Sequence, residues 1–485
     1  MTNGDTFSAL RAATARLDST AMPFALTELM EIDQSSRSHA DAFIHLYAHT
    51  PELDAELEEQ LWQTLHAYLQ SLNHAYASAL QSIALKQDSD LLGRAFMHRL
   101  DNLGLLALCH YLRYQPLPDD FWLKLHAAYQ MVEEAPGINV AGAGCDASYL
   151  RALMLGTVNH TNMLKWEITL VNSWLQRWCQ DLMLAKEYDV EQHLFFVDLL
   201  ENSGARRMRD FMPMPSYRYW NVDNMTSELE HMQQQLEVDI LPPDFGEGIA
   251  LPTAMRLVEQ LLAEWSRTDP PYRRQRRLED RDGVSKSAQV VHGIFNVCQH
   301  VKNLAFASLS PATNYNRDGI GSTATGGKEN SWIIENESKF GFGAVVKADL
   351  NLWLNPGRLI ALDYEFNPDL TVVGVVRSIQ QQSDGNCYAG IEVLSHTPTY
   401  VLLQYMDDDT GLEAGAAESF PALYLAKDDD RDQPAMLVMP SFQFLESGLY
   451  QLRTQQQTYL VRLGDIVEQQ YDWLRVKINT MDKSA

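Results

Sequence analysis

Two short polar motifs in the second half of the chain carry side chains that could bind an anionic ligand. The first motif, Arg273-Arg-Gln-Arg-Arg277, places four guanidinium groups within five residues. The second, Asn336-Glu-Ser-Lys-Phe-Gly341, offers an amide and a hydroxyl, and its glycine permits a positive φ where the chain reverses. Arginine pairs with phosphate and stacks on purine rings, while amides and hydroxyls complete contacts to polar edges. Taken singly, the motifs are a solvated charge run and a plain turn, so only their combination indicates a binding site.

The balance of charge limits the ligands that the chain can bind. Its 485 residues contain 38 Lys and Arg against 64 Asp and Glu, a formal net charge of −26. Such a charge repels polyanions, which argues against binding DNA, RNA or anionic lipid over a broad surface. An anionic ligand must therefore meet a locally basic site. The fractions of 46% hydrophobic and 21% charged residues are ordinary for a globular protein, and the length predicts two to four domains.

The first 190 residues have the periodicity of helices. Apolar residues recur at three- and four-residue spacing, as in the set Leu61, Leu65, Tyr68, Leu69 and Leu72. Proline and glycine interrupt the pattern near residues 116–118 and 136–137. We therefore predict an all-α domain of roughly six to eight helices over residues 1–190.

Residues 191–268 show a mixed pattern, which we interpret as a connecting region. Strands are predicted at 193–200 and 217–222, and helices at 226–237 and 251–266. The consecutive prolines Pro270 and Pro271 end the last of these helices, because a helix cannot continue through them. This position is the clearest domain boundary in the chain.

Strands dominate the rest of the sequence, and we divide it into a small barrel over 269–405 and a β-rich extension over 406–485. Short apolar runs separated by turn residues predict strands at 288–301, 331–335, 343–347, 359–366, 371–379, 387–394 and 400–405. The extension is predicted to contain further strands between 420 and 463 and a terminal helix around 465–476. The fold class is therefore α+β and multidomain.

In combination, Arg-x-x-x-Arg before a β-meander and Asn-x-Ser-x-x-Gly within it resemble the PilZ domain, a small β-barrel that binds cyclic di-GMP. The strands predicted around 356–363, 373–377 and 388–393 are also similar to those of that family, and the resemblance covers about residues 268–405. It implies a PilZ-like antiparallel barrel that binds this nucleotide. The implied ligand-binding residues are Arg273, Arg274, Arg276, Arg277, Asn336, Ser338 and Gly341.

The chemistry of the nucleotide fits these side chains. Cyclic di-GMP presents two phosphodiester anions and two guanine edges, and arginine can bond to both and stack on the purine. The amide of Asn336 and the hydroxyl of Ser338 could complete the contacts that discriminate guanine from adenine. Lysine would be a poor substitute for Arg273 or Arg277.

The spacing of the motifs departs from the family pattern. Asn336 follows Arg277 by 59 residues, whereas the two motifs are usually much closer. Much of the excess lies in a polar stretch at 309–330, which predicts a long loop inserted after the first barrel strand. An insertion there need not separate the motifs in space, but it could cover or occupy the ligand groove.

Other candidate chemistry is weaker. The stretch 321–328 resembles a P-loop, but an extra glycine disrupts the spacing and a strand is predicted to follow. The acidic runs 407–410 and 428–432 lack the calcium-loop pattern and are interpreted as solvated turns. The histidines, including His98, His110, His292 and His300, form no recognisable metal-ligand set. We therefore predict no catalytic residues, no metal and no cofactor, and the chain is not expected to be an enzyme.

The remaining sequence features favour a cytoplasmic protein. The five cysteines are widely scattered, as expected for reduced thiols. The N-terminus lacks a signal-peptide pattern, and no apolar stretch is long enough to insert into a membrane. The Met- and aromatic-rich stretch 209–220 is interpreted as intramolecular packing, with docking of a partner as the alternative.

Three functional hypotheses follow, in decreasing order of preference. The first is a cyclic di-GMP effector in which nucleotide binding at the barrel alters contacts of the helical domain with a protein partner of unknown identity. The second is a helical adaptor or scaffold with a degenerate barrel that does not bind the ligand. The third is an enzyme that acts on nucleotides.

Overall fold

The computed structural model describes twelve stretches of the chain. They are residues 3–19, 24–50, 53–82, 88–135, 137–138, 144–208, 212–267, 282–307, 331–364, 367–382, 384–406 and 418–481. The chain forms two compact units. The first unit comprises Met1–Val238 and Leu257–Arg274, and the second comprises Asp239–Arg256 and Gln275–Ala485.

The N-terminal part is helical, as the periodicity predicts. Among its described residues lie α1 (Asn3–Asp18), α2 (Leu26–His49), α3 (Ala55–Ser82), α4 (Ser89–Tyr111), α5 (Phe121–Glu134), α6 (Cys145–Thr157) and α7 (Lys165–Trp178). The predicted apolar face of α3 is buried at all five positions, from Leu61 to Leu72. Burial of such a face supplies most of the stability of a helix in a protein.

A buried carboxylate links three of these helices. Asp33 on α2 accepts hydrogen bonds from Tyr76 on α3 at 3.1 Å and from Asn102 on α4 at 2.8 Å. His98 and Arg37 also lie within 3.0 and 3.3 Å of this carboxylate. Burial acts to raise the pKa of Asp33, but His98, Arg37 and Asn102 outweigh it and hold the pKa below its ordinary value. The carboxylate is thus a structural group whose partners come from all three helices.

A small sheet and two helices follow in the stretch that the sequence predicts as mixed. The strands β1 (Phe195–Asp198), β2 (Arg206–Arg207) and β3 (Tyr217–Trp220) pair antiparallel in the order β2-β1-β3, and the helices are α8 (Asp223–Glu237) and α9 (Leu251–Trp265). Within 209–220, Tyr219 and Trp220 are buried, whereas Met212 and Met214 are 78% and 49% exposed. The packing interpretation therefore holds for the two aromatic residues and not for the two methionines.

The second unit contains a closed six-stranded antiparallel barrel, which we call the first barrel. Its strands are β4 (Asp282–His292), β5 (Trp332–Ser338), β6 (Gly341–Lys347), β7 (Leu359–Tyr364), β8 (Asn367–Gln381) and β9 (Asn386–Ser395). They follow each other around the barrel in the order β4-β5-β6-β9-β8-β7. The small antiparallel barrel predicted for this region is confirmed.

A helix interrupts one predicted strand of this barrel. The sequence analysis places a continuous strand at 288–301, but β4 ends at His292 and a helix, α10 (Ile294–Ala307), follows. Gly293 takes a φ of 81°, which ends the strand and which glycine adopts without strain. The next apolar residues, Ile294, Val297, Cys298 and Val301, are spaced by three and four positions and are all buried. They pack in one core cluster with residues from both barrels.

The second barrel is also closed, and it contains the C-terminal extension together with the strand predicted at 400–405, which the sequence wrongly assigns to the first barrel. Its strands are β10 (Thr399–Met406), β11 (Phe420–Leu425), β12 (Met436–Pro440), β13 (Leu449–Arg453), β14 (Thr458–Gln469) and β15 (Trp473–Met481), in the order β10-β11-β12-β15-β14-β13. The β-rich prediction is confirmed, but the terminal helix predicted around 465–476 is wrong. That stretch contains the end of β14, a tight turn and the start of β15, because pairing between these two strands overrides the apparent helical spacing.

The two barrels share one topology. In each of them the first three strands along the chain are followed around the barrel by the sixth, the fifth and the fourth. This repetition is not visible as an internal sequence period. The second unit is therefore built from two copies of one architecture.

None of the helices in the described part of the chain is long and apolar enough to cross a membrane.

Candidate functional site

The Asn-x-Ser-x-x-Gly motif forms the β5–β6 hairpin of the first barrel, which we call the motif hairpin. The sequence predicts that this motif follows the end of a strand, whereas Asn336 and Ser338 lie within β5 and Gly341 begins β6. Ser338 pairs with Gly341 across the hairpin, and its hydroxyl donates to the carbonyl oxygen of Gly341 at 3.2 Å. The motif residues thus have fixed positions in a paired ladder.

Asn336 lies on the outer surface of the barrel. Its partner across the ladder is Gly343, whose neighbours Phe342 and Ala344 are buried in the barrel core. Because side chains alternate between the faces of a strand, position 343 faces outward and Asn336 faces outward with it. The motif therefore presents its polar groups outside the barrel.

A row of small and polar residues continues from Asn336 across four strands. The register pairs Asn336 with Gly343, Gly343 with Gly390, and Gly390 with Ser378. The Nδ2 of Asn336 donates to the hydroxyl of Tyr388 at 2.9 Å. A Cβ at position 343 would collide with that hydroxyl, and one at position 390 would collide with the Ser378 hydroxyl. Glycine at both positions lets the polar side chains lie close against the backbone.

The start of β4 lies beside this hairpin. Asp282 pairs with Glu337 and Gly283 pairs with Asn336. The chain therefore enters the first barrel next to the motif. The predicted ligand residues that precede this point, Arg273, Arg274, Arg276 and Arg277, lie outside the described residues.

Carboxylates flank the motif. Glu337 forms an ion pair with Lys286, and the Tyr364 hydroxyl donates to it at 3.3 Å. Glu392, which pairs with Gly341 across the ladder, binds Arg377 at 2.7 Å and Arg431 at 3.5 Å. The described cations near the motif are thus already engaged with acidic groups, so an anionic ligand needs additional positive charge.

The connection between β11 and β12 of the second barrel reaches the motif hairpin. Lys339 in the hairpin turn forms an ion pair with Asp430. The Arg431 guanidinium lies 4.4 Å from the ring centroid of Phe340 and donates to its carbonyl at 3.4 Å. The acidic run 428–432 therefore contacts the hairpin through one ion pair and through Arg431. The other acidic run, 407–410, lies outside the described residues.

An ionic cluster of one partly exposed and two largely buried side chains joins the two barrels near the motif hairpin. The Arg377 guanidinium on β8 makes a double hydrogen bond to Glu468 on β14, one of the pair at 2.8 Å, and Arg475 lies 3.2 Å from the same carboxylate. Burial acts to raise the pKa of Glu468, but Arg377 and Arg475 outweigh it and lower the pKa to about 2. The Glu468 carboxylate and the Arg377 guanidinium are therefore both charged at neutral pH.

The histidines considered in the sequence make packing and ion-pair contacts. His98 contacts Asp33, His292 stacks on Trp353 with ring centroids 3.9 Å apart, and His300 lies 2.8 Å from Asp363. Burial, together with the nearby His66, lowers the pKa of His110 to about 4. No group of three or more His, Cys, Asp or Glu side chains in the described ranges is placed to hold a metal ion. The P-loop-like stretch 321–328 lies outside those ranges.

All five cysteines are buried. Burial raises the pKa of the thiols of Cys109, Cys145, Cys179 and Cys298 to about 12, so each is a thiol rather than a thiolate at neutral pH. A nucleophilic role would require the thiolate.

The groups that surround the motif are not predicted from the sequence. Tyr388 and Ser378 reach the row only through the strand register, which a single sequence does not reveal. Gly343 and Gly390 did carry a signal, because an isolated glycine inside a predicted strand often marks a close approach. The sequence contains no signal for the role of Arg431, because its contact with Phe340 depends on how the two barrels pack.

The fold defines an α+β multidomain protein in which a helical region precedes two antiparallel barrels, one of them carrying a polar motif hairpin. Residues 2–187 match the family model described as the N-terminal domain of the cyclic-di-GMP receptor FimW. No curated protein and no solved structure matches the chain. The helical region is thus similar to a domain of a cyclic di-GMP receptor, while the PilZ resemblance of the barrel rests on its motif residues.

Proposed function

We propose that the chain is a cytoplasmic cyclic di-GMP effector whose nucleotide site is the motif hairpin together with the arginine motif that precedes β4. The ligand-binding residues are Arg273, Arg274, Arg276, Arg277, Asn336, Ser338 and Gly341. Binding alters the contacts of the helical domain with a protein partner. The role is that of a receptor, not an enzyme.

The observation that carries the proposal is the pairing of Asp282 with Glu337 beside Asn336. Arg277 precedes Asp282 by five residues. A chain of that length spans at most about 18 Å even when fully extended. Connectivity alone therefore keeps Arg277 within reach of the hairpin, despite the 59 residues that separate the motifs in sequence.

The charges around the motif explain why the arginines are required. Glu337 and Glu392 lie on either side of the motif hairpin, and their described cationic partners are engaged with them. A doubly anionic ligand meets repulsion there unless it brings its own counter-charge or the protein supplies more. Four guanidinium groups at 273–277 supply it, and each charge-assisted contact contributes on the order of 1.5–3 kcal/mol.

The family match supports the receptor role independently of the barrel. The model that matches residues 2–187 is that of a receptor for the same nucleotide that the motifs of the barrel imply. Two separate parts of the chain thus point to one ligand. The helical region is then the element that transmits binding to a partner.

Calorimetric titration of the full chain with cyclic di-GMP tests the proposal. We expect micromolar or tighter binding. Arg273→Ala/Arg277→Ala should weaken it at least about a hundredfold, because two charge-assisted contacts are lost. The control is Arg16→Ala/Arg206→Ala, which removes two exposed arginines of the helical unit and should leave affinity unchanged.

Each contrary result has a distinct meaning. Equal affinity in the wild type and in Arg273→Ala/Arg277→Ala would show that the arginine motif is not the site. Absence of saturable binding by the wild type would favour the adaptor with a degenerate barrel.

A further inference from the structure

Three exposed aromatic rings lie close together beside the start of α10. Phe442 is 70% exposed, Tyr471 is 64% exposed and Phe295 is 50% exposed, and the other exposed large apolar side chains among the described residues are aliphatic. The ring centroids of Phe295 and Phe442 are 6.3 Å apart, and Ser441, next to Phe442, is hydrogen-bonded to the backbone of Tyr471. We call the three aromatic residues the aromatic patch. Clustered apolar side chains on a surface mark interaction sites.

Hydrogen bonds on both sides of Phe442 hold the backbone that carries it. The Ser441 hydroxyl donates to the Tyr471 carbonyl at 2.8 Å, which ties the end of β12 to the turn between β14 and β15. The Tyr450 hydroxyl donates to the Gln443 carbonyl at 2.7 Å. A side chain presented on a fixed backbone loses less entropy when a partner binds. Phe442 is therefore a preorganised anchor.

The charged side chains around the aromatic patch are acidic. The patch is formed by the segments 292–296, 441–446 and 470–473, which contain Glu446 and Asp472 and no Lys or Arg. The Asp472 carboxylate accepts a hydrogen bond from the first amide of α10 at 3.3 Å, and Glu446 is exposed. A partner that brings positive charge to this surface is therefore favoured, and one that brings negative charge is repelled.

We propose that the aromatic patch docks a basic segment of another protein, whose arginine side chains stack on the exposed rings and pair with the neighbouring carboxylates. Arginine is the side chain that makes both contacts, because its planar guanidinium binds carboxylates and stacks on aromatic faces. This surface differs from the motif hairpin, and the inference does not depend on nucleotide binding.

The charge of the chain argues against the other occupants of such a patch. A second copy would bring the same carboxylates and a further net charge of −26 to the contact. A nucleic acid or an anionic lipid surface would be repelled by that charge as well. A basic protein segment is attracted by it, and its apolar side chains can cover the remaining ring surface.

The test uses a short fluorescein-labelled peptide of alternating Leu and Arg, whose binding to the full chain is measured by fluorescence anisotropy. The net charge of the chain attracts any basic peptide, so the informative comparison is between variants of equal charge. Phe442→Ala should weaken binding by about tenfold or more, because it removes the central aromatic anchor. The control is Leu200→Ala in the helical unit, which is 71% exposed and should leave the affinity unchanged.

A second peptide separates ring stacking from charge. Replacing every Arg of the peptide by Lys keeps its charge and weakens the stacking, so the wild type should bind it about threefold more weakly. Phe442→Ala should reduce this preference for Arg. Glu446→Gln should weaken the binding of both peptides by a similar factor, because it removes a charge and no ring. Its control is Glu230→Gln, which removes an exposed carboxylate of α8 and should have little effect.

Three results would overturn the inference. They are the absence of binding of the arginine peptide by the wild type, equal affinity of the wild type and Phe442→Ala for it, and a wild-type dimer in sedimentation equilibrium that Phe442→Ala abolishes. The last result would show that a second copy covers the patch. If Phe442→Ala does not fold, Tyr471→Ala replaces it, since that side chain is also exposed. None of these results would affect the proposed binding of cyclic di-GMP.

Discussion

The two barrels have the same strand order but different outer surfaces. In the first barrel, the hairpin between the second and third strands is a tight turn that carries Asn336, Ser338 and Gly341. In the second barrel, the equivalent connection is residues 426–435, which carry a run of acidic residues and Arg431. The inner faces of both barrels are apolar and buried. The proposed ligand-binding residues of the hairpin therefore lie on the outer surface of one barrel, and the topology alone does not predict them.

Equivalent elements of the two barrels contact each other. The fifth strands meet through Arg377 and Glu468, and the connections between the second and third strands meet through Phe340 and Arg431. A similar pairing of like with like occurs in the interface of a two-fold symmetric dimer. Here the two partners have diverged, since only one of the facing hairpins carries the polar motif. The polar motif, which distinguishes the first barrel from the second, thus lies at the place where the two barrels meet.

The largest effect should come from breaking the ionic pair between the fifth strands. Arg377→Ala leaves the carboxylate of Glu468 buried, although Arg475 still lies nearby. Loss of one partner of a buried pair costs about 3–5 kcal/mol of unfolding free energy. Because the Arg377 side chain is 35% exposed and Arg475 remains beside Glu468, we expect a cost at the lower end of this range. Urea denaturation monitored by tryptophan fluorescence would measure it. The matched control is Lys477→Ala, which breaks an exposed pair with Asp465 and should cost less than about 0.5 kcal/mol.

A small effect of Arg377→Ala, comparable to that of Lys477→Ala, would contradict this prediction. It would mean that apolar packing around α10, rather than the ionic cluster, holds the barrels together. The cluster of Val297, Cys298, Leu359, Leu423 and Trp473 would then account for the interface.

The sequence predicts what depends on local pattern and fails where register or packing decides. The helical character of the N-terminal part and most strands in the described part of the chain follow from apolar spacing. The stretch 288–301 is rich in valine and favours a strand by composition, but the spacing of Ile294, Val297, Cys298 and Val301 matches a helix that fits between two barrels. A single sequence does not show that a second barrel packs against that helix and buries its apolar face.

In the candidate site, too, some residues can be predicted from the sequence and others cannot. Asn336, Ser338 and Gly341 form a contiguous motif, and a contiguous motif can be recognised from residue types. Tyr388 is 52 residues away from Asn336 in sequence and meets it only because β9 follows β6 around the barrel. Such contacts require the register of three strands, which residue types alone do not determine.

Acid should weaken the ionic pair between the barrels by a comparable but smaller amount. The pKa of Glu468 is lowered to about 2 in the folded protein from an ordinary value of 4.5. Folding therefore favours the ionised form, and this stabilisation is fully present above about pH 5. It decreases as the pH falls from about 4.5 towards 2, where folded and unfolded chains are both protonated. The total is roughly 3 kcal/mol for a shift of this size.

The measurement is the unfolding free energy of the wild type and of Glu468→Gln between pH 6 and 2. Other carboxylates titrate in both proteins, so the informative quantity is the difference between them. We expect this difference to be largest at pH 6 and to shrink as the pH decreases. A difference that stays constant over the whole range would contradict the assigned pKa.

The smallest expected effect comes from replacing one glycine on each barrel by alanine, which compares the packing of the two surfaces. Gly343 in the first barrel lies beneath the bond between Asn336 and Tyr388, and an added methyl group would displace the tyrosine hydroxyl. Overpacking of this kind costs about 1–3 kcal/mol. Gly464 in the second barrel has more space, since its added Cβ would lie 3.4 Å from the nearest atom, the carbonyl oxygen of Lys477. Gly464 lies at a register shift of β14, but it takes no positive φ, so Gly464→Ala should change the unfolding free energy by less than about 0.5 kcal/mol.

Urea denaturation of the two alanine variants under identical conditions would compare the surfaces directly. Equal costs for Gly343→Ala and Gly464→Ala would show that the glycine row imposes no special constraint on the first barrel. A larger cost at position 343 would show instead that the polar layer over this glycine is closely packed. Since no such layer covers Gly464, the two barrels would then differ in surface constraint as well as in the ligand binding that we propose for the first barrel.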